Sequence, residues 1–415
     1  MTSDHPIIQT AEFASDHSII QTAEFVIKVL EQGKKTATYK QAVLLAILDI
    51  VAAGAAASIP RGASVAITTR DLAERVIEIY WRQTLPFGVG IQDDLDDAVV
   101  RSGSISQPLK QSSNPNNYVT TLIKFQSDMA SKLSGRTPSL NRAKTDVAYS
   151  KLVKDIETGV KAQPLPRLQI IDRKPQLNLY QLSWRPNIDN LKWTDEIQVP
   201  IGFPVLDLMG RVEFASESFQ KKSYILLRPY VFEAFVKLNA LLRSHVMMHW
   251  TRQVTSLNNL DYSGVEQHLF GRSRANLRVL VEPLMDLQGS RCFYCDRLLD
   301  HTSQVDHFLP WVRTWDDGLH NLVLADDKCN ASKSDILAAP FHLQKWRERN
   351  ATSAPLLIDI AKEDCLQTVF EPDRAISLAR AAYQQVGKDS RLWSSRRELI
   401  DVDPEAVRKA LEYST

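Results

Sequence analysis

Between Arg291 and Asp335 the chain reads RCFYCDRLLDHTSQVDHFLPWVRTWDDGLHNLVLADDKCNASKSD, and side chains able to do chemistry stand there in close order. Cys292 and Cys295 form a CxxC pair, Asp306 and His307 are adjacent, Asn321 opens the apolar run Leu322-Val323-Leu324, and Cys329-Asn330 precede Lys333. An imidazole, with an ordinary pKa of about 6.5, is the side chain suited to accept a proton at neutral pH. A carboxylate and a carboxamide offer hard oxygen ligands, which suit Mg²⁺ or Mn²⁺ better than a softer metal that prefers imidazole. Lys333 adds a point charge fit to face a phosphate.

This order resembles that of the HNH, or ββα-metal, endonucleases. The resemblance covers about residues 285–350 and does not reach the N-terminal half. It implies that Asp306 binds the catalytic metal and that His307 is the general base acting on the attacking water. It further implies that Asn321 fixes the loop and the imidazole, and that Asn330 is the second metal ligand. The separations of 14 residues from His307 to Asn321 and 9 from Asn321 to Asn330 are similar to those in the HNH domain of RNA-guided CRISPR nucleases. The chemistry agrees without the family name. Phosphodiester hydrolysis needs a base for water and a cation beside the oxygen that leaves, and these residues supply one and hold the other.

The cysteines allow two readings. Redox use of the CxxC would place it at a helix N-terminus in a βαβ unit, and a c-type haem would need His where Asp296 stands, so neither fits. Many HNH domains hold a structural zinc with two CxxC pairs, and here Asp326 stands where the fourth Cys would be, so Cys292, Cys295, Cys329 and Asp326 form a Cys3Asp candidate. Alternatively the three thiols are small buried residues in a tight turn. Cys365 reads as an ordinary core thiol.

A chain of 415 residues, 44% hydrophobic, is too long for a single core and divides into two or three domains. Net charge is +1, so any nucleic-acid surface must be local. From Phe219 to Leu280 nine cations face three acids, with Arg272, Arg274 and Arg278 of GRSRANLR the best phosphate-contact candidates. Ala42 to Ala57 is strongly apolar but contains Asp49 and Gly54, which reads as a buried helix rather than a membrane span. The start, MTSDHPIIQ, lacks a basic then apolar leader, and the four cysteines do not form a disulfide framework, so a cytoplasmic setting is expected.

The elements that carry the site follow from periodicity and punctuation. SDHPIIQTAEFA from Ser3 recurs as SDHSIIQTAEFV from Ser15, a duplication whose second copy is expected to pack onto the domain. Helices over Phe25–Leu30 and Tyr39–Val51 and a third capped by Thr69 suggest a helix-turn-helix-like unit or simple helical packing. Residues 101–117 read as a loop, Arg142–Lys161 as a helical stretch, and PLPRLQIIDRKPQ as an interdomain linker. Short strands are expected between Tyr180 and Tyr224, and a long helix over Leu227–Val254. Its His245 and His249 lie at metal-binding spacing but lack the Glu of HExxH, which favours packing. A helix over Phe341–Arg349 packs through Phe341, Leu343 and Trp346, and the tail reads as further helix with Pro404 near a last helix start.

The expected architecture is α+β: an extension over 1–24, a mainly helical domain over 25–163, a mixed connecting domain over 164–280, the nuclease module over 281–350, and a helical tail over 351–415. The expected function is metal-dependent cleavage of DNA phosphodiesters in restriction or phage defence, with Mg²⁺ or Mn²⁺ as cofactor and DNA as partner. Two other readings stay open: a nuclease effector held silent by a regulatory or ATPase partner, and a non-catalytic nucleic-acid-binding protein.

Overall fold

The computed structural model describes residues 5–32, 36–87, 107–114, 117–188, 196–260, 262–270, 277–364, 366–387 and 389–412. Its contacts separate two compact units, each assembled from separated stretches. One comprises Met1–Thr84, Leu109–Ile123 and Ser150–Leu269; the other comprises Leu85–Pro108, Lys124–Tyr149 and Phe270–Thr415. The stretch 25–163 is thus divided between both units instead of forming one helical domain.

The first unit is built around the helix Tyr39–Ala53, in which Ala42 to Val51 is buried without a break. A stretch this apolar, Tyr39–Ala56, has the length and composition to cross a membrane. Here other helices surround it, and each fully buried Leu, Ile or Val contributes about 1.5–3 kcal/mol. Its one acid, Asp49, is neutralised by the guanidinium of Arg243, so Arg243 turns inward and leaves the basic face expected of 219–280. Beside this helix lies a five-stranded sheet of β1 (Val65–Thr68), β4 (Tyr180–Leu182), β5 (Pro204–Leu206), β6 (Val212–Phe214) and β7 (Tyr224–Leu227), ordered β4-β7-β1-β5-β6. β1 runs parallel to β5 and antiparallel to β7, and all four of its residues are buried.

Several local expectations change here. The helices Tyr39–Ala53 and Thr69–Gln83 are joined through β1 at the centre of the sheet, not through a turn, so they do not form a helix-turn-helix. The capping residue is Thr68, whose hydroxyl accepts from Asp71 N, one residue before the expected Thr69. The supposed linker is ordered: Pro164–Leu168 is a short helix that buries Pro164, Leu165, Pro166 and Leu168, followed by the paired strands β2 (Ile170–Ile171) and β3 (Lys174–Pro175). The long helix divides at Leu238 into Val231–Lys237 and Asn239–Asn258. In the helix His5–Gln32 the second repeat buries Ile19, Ala23, Phe25 and Val26; the side chains of the first copy lie outside the described residues.

The second unit has a core of Leu280, Leu284, Leu319, Leu322, Leu324, Leu357, Ile360 and Phe370. Strands β8 (Gln304–His307) and β9 (Leu322–Ala325) pair antiparallel, and the helix Asp327–Lys333 follows β9. The stretch Arg142–Lys161 is broken: the short helix Leu140–Lys144 belongs to this unit, where Arg142 Nε meets Asp364 Oδ1 at 2.8 Å and Lys144 Nζ meets Glu371 Oε1 at 2.9 Å. The helix Pro340–Thr352 buries Leu343 and Trp346 as expected, but Phe341 is exposed. The tail is not all helix. Strands β10 (Arg391–Ser395) and β11 (Glu398–Asp401) form a hairpin before the last helix, Pro404–Leu411, which Asp403 caps. Cys365 lies outside the described residues.

Candidate active site

Successive side chains of a strand point to opposite faces, so Gln304 and Asp306 share one face of β8 and His307 takes the other. The shared face meets the helix Asp327–Lys333. Gln304 Oε1 accepts from Asn330 Nδ2 at 2.8 Å, and Asp306 Oδ2 lies 3.0 Å from Lys333 Nζ. Tyr294 Oη also donates to Asp306 Oδ2, at 2.5 Å. Burial, reinforced by the negative Asp306, pushes the Tyr294 phenol well above its ordinary range, so it remains an O–H donor. Asp306 Oδ2 is thus held from two sides, by Tyr294 and Lys333, while Asn330 engages Gln304 on the same face through its Nδ2.

Lys333 departs from its expected role. It is wholly buried and donates to the His307 carbonyl oxygen at 2.9 Å as well as pairing with Asp306, so it ties helix to strand and does not face a phosphate.

The loop between β8 and β9 is pinned from its far end. Asn321, fully buried, accepts from Leu309 N through Oδ1 at 2.8 Å and donates through Nδ2 to the carbonyls of Leu309 at 3.0 Å and Asp316 at 2.9 Å. His320 joins in. Its Nδ1 accepts from Glu371 N at 2.9 Å, which makes Nε2 the protonated nitrogen donating to Asp316 Oδ2 at 2.8 Å. Burial works to raise the Asp316 carboxyl, but the His320, Arg374 and Gly318 N–H contacts outweigh it and hold it well below the usual carboxylate range. Gly318 lies so close to this ring that an added Cβ would stand 2.0 Å from His320 Cε1, so only glycine fits. Below the loop, Phe308 stacks on Trp346 at 4.9 Å, and Trp346 Nε1 donates to the His320 carbonyl at 2.7 Å.

At the other end of the helix Asp327–Lys333, the sulfurs of Cys292, Cys295 and Cys329 lie within 4.8 Å of one another, a donor set that suits a soft cation such as zinc. Asp326 lies outside this sulfur set and is engaged elsewhere. Its Oδ1 caps the helix through Lys328 N at 3.0 Å and Cys329 N at 3.3 Å, and it pairs with the guanidinium of Arg396. Arg396, from the turn between β10 and β11, also donates to Cys329 Sγ at 3.2 Å. Trp393 anchors that hairpin, donating through Nε1 to Ser332 Oγ at 3.0 Å.

Asp306, His307, Asn321, Asn330 and Lys333 therefore gather on one strand–strand–helix element, as their spacing suggests. Arg272 and Arg274 lie outside the described residues, and Arg278 is exposed ahead of the helix Val281–Leu287. Sequence reasoning passed over Tyr294, Asp316, Asp317, His320 and Arg396. A DDGLHN string between the expected base and Asn321 was the signal available for three of them.

Residues 292–339 match the family model of HNH endonucleases, so the C-terminal region carries an HNH endonuclease domain. Residues 20–170 match a model described as a domain of unknown function (DUF8808). Comparisons with curated proteins and with solved structures give no match.

Proposed function

We propose that this protein is a divalent-metal-dependent endonuclease that hydrolyses DNA phosphodiester bonds with a ββα-metal site. The observation that carries the reading is that the face of β8 bearing Gln304 and Asp306 meets the helix Asp327–Lys333 that carries Asn330, through Gln304–Asn330 and Asp306–Lys333, with His307 one residue from Asp306 on the same strand. Two oxygen donors suit Mg²⁺ or Mn²⁺, which keep waters and phosphate oxygens in their remaining positions. When bound, such an ion supplies Lewis-acid stabilisation to the oxygen that leaves. His307 takes a proton from the attacking water, Asn321 holds the loop that carries its surroundings, and Lys333 holds β8 against the helix. Exposed cations, Arg278 among them, would contact the phosphate backbone.

A role in restriction or phage defence, inside the cell, is proposed on architecture alone: one HNH domain is joined to a large region of other fold. The test is plasmid nicking by the purified full-length chain. Cleavage with Mg²⁺ that disappears with EDTA and in His307→Ala supports the reading. No cleavage of any DNA under any divalent cation would favour a partner-restrained or purely binding role.

A further inference from the structure

His307 Nε2 lies 2.9 Å from Asp317 Oδ1, and both side chains are about one-fifth exposed, at 19% and 20%. Asp317 stands outside the ordered set of motif residues, and the loop between β8 and β9 delivers it. Asn321 bonds the carbonyl of the preceding residue, Asp316, while Asp316 itself receives Gly318 N at 2.9 Å and the His320 ring. The backbone on both sides of Asp317 is therefore fixed by buried bonds, which present its carboxylate to the imidazole.

An ionised carboxylate can only accept a hydrogen bond, so a neutral His307 facing it must carry its proton on Nε2 and its lone pair on Nδ1. We propose that Asp317 is a positioning residue for the hydrolysis: it fixes His307 as the Nε2–H tautomer, so that Nδ1 accepts the water proton. This rests on the nuclease reading above. In the step, an O–H bond of water breaks and its proton goes to Nδ1. The water oxygen forms the new bond to phosphorus as the bond to the departing oxygen breaks. That oxygen takes a proton from solvent, and the imidazolium, stabilised by Asp317 meanwhile, returns its proton to solvent. The arrangement parallels the orienting acid of a hydrolase triad, where Asp→Asn leaves the geometry intact but favours the wrong tautomer.

The test compares full-length wild type, Asp317→Asn and Asp317→Glu in Mg²⁺-supported nicking, with DNA affinity measured separately. Asp317→Asn is expected to lower the cleavage rate on the order of 10²-fold or more, with DNA affinity changed less than about threefold, and Asp317→Glu to recover part of the rate. Nitrogen-15 spectra of histidine-labelled protein, with the His307 signals assigned by their loss in His307→Gln, should show the Nε2–H form in wild type and a mixture in Asp317→Asn. Asp317→Asn cleaving as fast as wild type overturns this proposal alone. A fall in affinity and melting temperature that accounts for the lost rate overturns it in favour of a structural role, as does an Nδ1–H ring in wild type. Absence of cleavage by wild type overturns the nuclease reading and this proposal with it.

Discussion

Lys333 Nζ lies 3.0 Å from Asp306 Oδ2, with the lysine side chain fully buried and the aspartate nearly so. A buried ion pair gains little over an apolar pair of similar shape, but removing one partner leaves an uncompensated charge. Lys333 is accordingly a stability residue that also sets where Asp306 points.

Lys333→Met is therefore expected to destabilise the second unit by about 3–5 kcal/mol, since Asp306 loses its counter-charge while remaining buried. Urea denaturation followed by tryptophan fluorescence measures this. A loss below about 1 kcal/mol, with cleavage alone impaired, would return Lys333 to the phosphate-facing role.

His307→Ala should abolish nicking while leaving DNA affinity within a few-fold, because the imidazole acts on water and not on binding. Asn330→Ala should instead raise the Mg²⁺ concentration needed for half-maximal rate, as expected of a lost ligand. Titration of cleavage against Mg²⁺ for each variant separates the two roles. A His307→Ala protein that nicks at a near-normal rate sinks the assignment.

The three thiols predict about one tightly held zinc per chain by elemental analysis, with three sulfur donors. Cys329→Ser should lose the ion. Asp326→Ala should keep it while costing about 1 kcal/mol through the lost helix cap, because that carboxylate bonds backbone N–H groups and Arg396. Loss of zinc in Asp326→Ala would restore the Cys3Asp site.

Burial lowers His342 to about 4, its Nε2 bonded to the Ser394 carbonyl at 3.0 Å. The unfolded chain then binds a proton below about pH 6.5 that the folded one refuses, so stability falls as pH drops from about 6.5 toward 4. His342 alone accounts for on the order of 3 kcal/mol of that loss. His342→Gln should flatten the stability profile of the second unit over this window, read by denaturation at stepped pH. An unchanged slope would show that His342 titrates normally.

The sequence by itself determined which residues the HNH element brings together, because that element is local. Asp306, His307, Asn321 and Asn330 lie on one strand, just before its partner strand and on the next helix, so their order along the chain already sets their neighbourhood. It also marked Leu343 and Trp346 as a packing face and Pro404 as a helix start, since capping and helical periodicity act over a few residues. Tertiary structure decided what depends on distant partners. Burial turned Lys333 from a surface charge into a clamp. A hairpin some 70 residues downstream brought Arg396 to Asp326 and Cys329, and no periodicity announces such a contact. The strand β1 split an expected helix-turn-helix because Val65–Thr68 is too short to stand out until neighbouring strands from 180–227 complete its sheet. The unit boundaries have the same cause. The stretch 224–269 carries cations next to the HNH element in sequence, yet it belongs to the other unit, because β7 is bonded to β1 and β4, and cross-strand pairing outweighs proximity along the chain.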